Sequence, residues 1–228
     1  MSDQPRLFEF RMGERAPEAL VVSGANRDAA LLLANWRAWP GGAMALVGPA
    51  SSGKTHLALA WALESGARWV SPESDPSEAV EAFDAAAGAV LVDDAGGPHN
   101  DLTLIRLLDL ARSRGGAVLM TGRTSPSLWS AGLPDLASRL AALPAATLGE
   151  PDKALLAVVL RRLCRERFIE LRQDGLDYLV DNLALSFAAA HAAADALDAQ
   201  LVKGRKPVGR AQARLALAAA QKAEQERA

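Results

Sequence analysis

One stretch of the chain, "GPASSGKT", has residue types and spacing suited to the capture of a polyphosphate. Gly48, Pro49, Ser51, Ser52 and Gly53 form a small-residue loop between an apolar run and a helical pattern. Such a loop can turn its backbone N–H groups inward, and the following helix adds positive potential at its N-terminus. Lys54 is then placed to reach the β- and γ-phosphates, and the Thr55 hydroxyl to hold Mg2+. His56 follows in the same first turn. Farther on, the buried run "AVLV" ends in Asp93 and Asp94. A carboxylate at a strand end beside a phosphate loop can hold Mg2+ through water, which suits Asp93. Its neighbour Asp94 could polarise an attacking water. Thr121 closes a further apolar run and offers a hydroxyl toward a γ-phosphate, a weak signal by itself. The expected ligand is a nucleotide with Mg2+.

These residues need a scaffold, and the hydrophobic pattern supplies one. Short apolar runs at 43–47, 67–70, 89–92, 117–121 and 145–148 are flanked by Gly, Pro or Asp, and each reads as a strand buried on both faces. Helical periodicity lies between them at 54–64, 77–85, 101–114 and 134–142. The alternation predicts βαβ units, hence an α/β fold with a five-stranded parallel sheet and helices on both faces. After Gly149 the remaining segments carry helical periodicity with no strand candidate, which predicts a small all-helical lid. The expected organisation is a tail at 1–12, a nucleotide-binding base at 13–149 and the lid at 150–228.

Composition narrows the function classes. Half of the 228 residues are apolar, ample for a core, and the formal net charge of −2 argues against a protein devoted to gripping nucleic-acid backbones. The single cysteine, Cys164, excludes a disulfide framework and fits a reducing compartment. The first residues hold no apolar signal core, and the Ala-rich stretch at 183–201 is interrupted by His191, Asp195 and Asp198, so neither export nor a membrane span is expected. The expected location is the cytoplasm.

With the phosphate loop, "VDD" on the third strand, a polar residue ending the fourth and a helical lid, the chain resembles the AAA+ family of the bacterial replication initiator DnaA and its relative Hda. "GLPDLASRL" at 132–140 is similar to the family's box VII, which implies that Arg139 is an arginine finger acting in trans on a neighbour's nucleotide. "LMTGRTSP" resembles the segment before it, and "RERFIEL" the start of the second lid helix. "VVSGANRDAA" resembles the nucleotide-proximal N-terminal box, which places Asn26 near the ligand. The finger has a plainer alternative, since Asp135 stands four residues before Arg139 on the same helical face.

The resemblance also gives meaning to "QPRLF" near the start. Gln4, Leu7 and Phe8 have the spacing of the peptide by which bacterial replication proteins dock on the sliding clamp, the beta subunit of DNA polymerase III. The alternative is a staple in which Leu7, Phe8 and Phe10 pack onto the base. The basic residues Lys203, Arg205, Lys206, Arg210 and Arg214 read as a solvated helix face rather than a duplex-binding patch. An initiator would continue into a DNA-binding domain, whereas this chain is expected to end with its lid. One departure stands out: the position matching the family's sensor 2 arginine holds Ala188, with His191 one turn away. That departure casts doubt on self-catalysed hydrolysis. The resemblance thus implies a negative regulator of replication initiation whose partners are DnaA, the clamp, DNA indirectly through the clamp, and a second copy in a homodimer. An autonomous AAA+ ATPase, such as a helicase or clamp loader, and a catalytically silent nucleotide-binding adaptor stay open beside it.

Overall fold

The computed structural model describes residues 22–201 and 207–225. These fall into two compact units, one spanning Asn26–Gly149 and the other made of 22–25 with the residues after Gly149.

The first unit is built on a sheet of five parallel strands, β1 (Ala43–Val47), β2 (Arg68–Trp69), β3 (Ala89–Val92), β4 (Ala117–Gly122) and β5 (Ala145–Thr147), in the order β2-β3-β4-β1-β5. Every residue of β1, β3 and β4 is buried, as expected of strands covered on both faces. The two edge strands differ from that expectation. Arg68 and Trp69 of β2 are exposed, as are Ala145 and Thr147 of β5, because an outer strand has a neighbour on one side only.

The helices are α1 (Arg27–Ala34), α2 (Lys54–Ser65), α3 (Pro76–Ala85), α4 (Asp101–Arg114) and α5 (Pro134–Ala142). Local chemistry sets their ends. Asp75 and Asn100 cap α3 and α4 by accepting the N–H groups of Ser77 (2.8 Å) and Leu102 (3.1 Å). Gly66 and Gly115 close α2 and α4 in the left-handed conformation, at φ 74° and 76°. One apolar cluster joins Val90, Val92, Val118 and Met120 of the sheet to Phe83, Leu104, Leu107, Leu136 and Leu140 of α3, α4 and α5. On α2, which packs on β1, β3 and β4, Trp61 is fully buried and stacks on Trp39 with centroids 5.4 Å apart. Trp36 meets the same ring edge-on at 6.4 Å, which ties the segment after α1 to α2. Helix α1 itself was legible in the sequence only as a motif.

The second unit contains α6 (Lys153–Glu166), α7 (Gln173–Asn182), α8 (Phe187–Leu201) and α9 (Arg210–Gln225). Leu156, Leu160, Leu163, Leu176, Leu179 and Leu197 share its core with Ala190, Ala193, Ala194, Ala213 and Ala216. An isolated parallel bridge between Leu171 and Val208 is the one strand-like pairing here among the described residues, where the sequence offered no strand. Residues 22–25, expected in the base, group with this unit. Asp152 explains why: its carboxylate caps α6 through Leu155 N–H at 2.7 Å and also holds Ser23 and Ala25, bonds that lower its pKa. Cys164 is buried in the core, which pushes its thiol up to about 11 and leaves it unreactive at neutral pH. Among the described residues no helix is long and apolar enough to cross a membrane.

Candidate functional site

The phosphate loop leaves β1 at Gly48, whose N–H donates to Gly122 O at the end of β4 (3.2 Å). A Cβ on Gly48 would stand 2.4 Å from Leu148 O, so only glycine lets the loop pass this close to the chain leaving β5. Ser51 (φ 57°) and Gly53 (φ 92°) take the left-handed conformation and bend the loop into α2. Lys54 folds back over it, Nζ donating to Gly48 O (2.8 Å) and Pro49 O (2.7 Å). Its pKa is lowered, first by burial and then by the charge of Arg123, against the opposing pull of Asp93 and Asp94. Ser52 is 6% exposed, and its Oγ finds no hydrogen-bond partner. A buried hydroxyl without a partner and an ammonium resting on two carbonyls are what a cradle for an anion would offer.

Asp93 is the hub of the site. Its Oδ2 lies 3.2 Å from Thr55 Oγ1, and its Oδ1 accepts the Thr121 hydroxyl at 2.5 Å. The same Thr121 oxygen accepts Asp94 N–H at 2.8 Å. Thr121 is buried, so its hydroxyl orients Asp93 and fixes the turn in which Asp94 sits at φ 57°. The structure therefore joins Thr55, Asp93, Asp94 and Thr121 around the loop. His56 lies exposed in the first turn of α2, and Asn26 heads α1, its carbonyl accepting Ala30 N–H at 2.9 Å. Gln4, Leu7 and Phe8 lie outside the described residues.

The Gly-rich turn "DDAGG" has a long-range reason. The Trp129 indole is 5% exposed, and Cβ atoms on Gly96 and Gly122 would come within 2.9 Å and 2.5 Å of it. Its Nε1–H donates to Thr124 O at 2.9 Å. One indole thus wedges between the exits of β3 and β4. Gly122→Ala should lower stability by about 1–3 kcal/mol through overpacking. The check is a lower urea midpoint at unchanged slope. Gly149→Ala, where an added methyl meets nothing within 4 Å, should match wild type.

No family model matches the sequence, and no curated protein matches it either. Solved structures do match in fold. Domain III of the replication initiation protein DnaA from Thermotoga maritima superposes with a TM-score of 0.69 at 18% identity, covering 89% of this chain and 95% of that one. The RuvB Holliday junction branch migration motor from the same organism gives 0.65 at 16% identity, over 86% of this chain and 68% of that. AMPPCP-bound DnaA from Aquifex aeolicus gives 0.54 at 18% identity, over 74% and 60%. The fold is that of AAA+ proteins.

In the first unit, Arg139 sits near the end of α5, away from the loop contacts just described. Its Nε lies 3.0 Å from both carboxylate oxygens of Asp135, and its Nη1 reaches Asp109 Oδ1 on α4 at 2.5 Å. Asp135 and then Asp109 raise its pKa, so the guanidinium is permanently charged. Nη2 takes no partner among the described residues. The Asp135 pair was legible in the sequence; the Asp109 contact was not. The head of α5 is fixed by Leu133 N–H on Asp101 Oδ2 (2.7 Å). The other Asp101 oxygen lies 3.3 Å from His99 Nε2, without hydrogen-bond alignment. His99 Nδ1 meets Gly97 O at 2.8 Å, so the turn after Asp94 is coupled to the helix carrying Arg139. In the second unit, Ala188 is an exposed residue in the first turn of α8, and His191 is exposed one turn on.

Proposed function

We propose that this protein binds adenine nucleotide and acts as an Hda-like negative regulator of replication initiation, presenting Arg139 to ATP-bound DnaA while tethered to the DNA-loaded sliding clamp. The observation that carries the reading is the division of labour within one base. A complete phosphate loop is wired to Asp93, while an arginine on a separate helix is engaged by carboxylates and by none of the loop residues. In this reading Gly48, Pro49, Ser51, Ser52 and Gly53 wrap the phosphates and Lys54 swings from its carbonyls onto them. Thr55 and Asp93, the latter through water, hold Mg2+, which when bound neutralises phosphate charge. His56 and Asn26 border the nucleotide. AMPPCP bound to the Aquifex protein supports an adenine nucleotide here. The expected partners are DnaA, the clamp through Gln4, Leu7 and Phe8, DNA through the clamp, and a second copy of the chain, all in the cytoplasm.

Asp94, poised to polarise a water, favours a second reading, an autonomous ATPase; the exposed Ala188 at the sensor 2 position opposes it. Steady-state ATP turnover decides between them. The regulator should hydrolyse little ATP alone and should accelerate hydrolysis by ATP-loaded DnaA only with clamp and DNA present. An autonomous enzyme turns over ATP by itself, and a silent adaptor accelerates nothing. Replacing Gln4, Leu7 and Phe8 together by alanine should abolish retention on immobilised clamp with nucleotide affinity intact, since the three are assigned to the clamp and not to the nucleotide. Full retention would overturn the tether.

A further inference from the structure

The functional reading above leaves Asp109, in the middle of α4, without a role. Its Oδ1 accepts Arg139 Nη1–H at 2.5 Å, from one helix to the next. The backbones on both sides of that bond are held firmly. Leu108 and Leu110 flank Asp109, Leu136 and Leu140 bracket Arg139, and all four are buried in one apolar cluster. Helix α4 also grips the other end of α5, where Asp101 Oδ2 accepts Leu133 N–H at 2.7 Å. Asp101 and Asp109 stand about 12 Å apart along α4, so one helix meets both ends of its neighbour.

The guanidinium needs more than one contact to be oriented. On its own helix Asp135 takes only Nε, whose single hydrogen is shared between two oxygens at 3.0 Å each. A planar group held at one nitrogen still swings about that point. The bond from Nη1 to Asp109 adds a second point from a different helix, and two points fix the direction of the plane. Stability does not account for the arrangement, because all three side chains are partly exposed and screened pairs of this kind contribute little. Nor does it have the form of a lock. The carboxylates take Nε and Nη1, and Nη2 has no partner among the described residues, so a phosphate oxygen joining Nη2 displaces neither acid.

We propose that Asp109 is the positioning residue of Arg139, the carboxylate that fixes the orientation in which the guanidinium is offered to a partner's nucleotide. The proposal rests on the finger reading above. Asp109 touches no reacting atom and acts only through the arginine. Misplacing a catalytic group by about 1 Å can cost as much as a hundredfold in rate, so a side chain remote from the chemistry can still govern it. The effect belongs to the rate and not to docking, since the buried leucines keep both helices in place when the carboxylate is removed.

The test follows hydrolysis by ATP-loaded DnaA, with clamp and DNA present, as the full chain is titrated in. Asp109→Ala should lower the maximal stimulation about tenfold and leave the half-saturating concentration and the melting temperature unchanged. Asp109→Asn keeps an oxygen for Nη1 without the charge, and should return to within about threefold of wild type. In an Arg139→Ala background, Asp109→Ala should change nothing further, because the two residues act as one unit. A merely structural aspartate would shift the melting temperature and act in both backgrounds. If Asp109→Ala leaves maximal stimulation unchanged or raises it while Arg139→Ala stays inactive, the positioning role is overturned and the finger stands. If Arg139→Ala keeps full stimulation, the finger reading itself falls and this proposal falls with it.

Discussion

Stimulation of DnaA's ATP hydrolysis is expected to drop by about a thousandfold when Arg139 becomes either alanine or lysine, the scale of a finger's contribution in phosphoryl transfer. The lysine variant is the sharper one. It keeps the charge and loses the fork, and a phosphoryl transition state spreads its charge over oxygens that a fork can meet at two points. Both variants should retain nucleotide and clamp binding. Their stability should change little, for the side chains of Arg139, Asp109 and Asp135 are 31%, 43% and 57% exposed. Solvent-screened pairs of this kind contribute about 1 kcal/mol or less. The two acids occupy Nε and Nη1 and leave Nη2 without a partner among the described residues, so one edge of the guanidinium stays available to a phosphate. If the arginine were only a clasp between α4 and α5, alanine would lower the melting temperature, lysine would partly restore it, and stimulation would survive. Melting temperature and DnaA ATPase measured side by side decide the matter; a stable variant with stimulation intact rules the finger out.

The second large effect is expected at Lys54. Lys54→Ala should weaken ADP and ATP by about a hundredfold, because the backbone cradle remains while the mobile positive charge goes. Without nucleotide the variant should fold normally, since the bonds it loses run to Gly48 O and Pro49 O at the partly exposed loop. With ligand the difference appears as stability. A wild-type protein at a hundred times its Kd gains about 2.7 kcal/mol, and a variant weakened a hundredfold gains almost none of it. Thermal melts with and without Mg-ADP measure this directly. A wild-type melting temperature indifferent to nucleotide would mean that the loop is vestigial.

Much of the base was legible because its signals are local. Strands β1 and β3 and helices α4 and α5 lie where apolar period and flanking Gly, Pro, Asn and Asp put them. The loop at 48–55 could be read because its chemistry depends on neighbours in sequence. What escaped depends on contacts that only folding makes. Gly96, in the turn after Asp94, serves Trp129, a residue on another loop. Asp109 meets Arg139 across two helices. The exposure of β2 and β5 follows from strand order, which periodicity does not encode. Helix α1 is short, and its apolar residues include Leu31 and Leu32, which stay exposed and blur the amphipathic period.

The alanines of the second unit have a consequence for the order in which the chain comes apart. Ala190, Ala193 and Ala194 of α8 and Ala213 and Ala216 of α9 are fully buried. Helices joined through such small side chains approach closely but withdraw few methylene groups from water, each worth about 0.8 kcal/mol. The core of the first unit holds alanines too, but adds Phe83, Met120 and Trp129 to its leucines and valines. Its sheet should therefore open only with the molecule as a whole, whereas α8 and α9 belong to a shallower layer of the energy landscape. A segment with such a small opening free energy can be rearranged by a ligand or partner that contributes only a few kcal/mol.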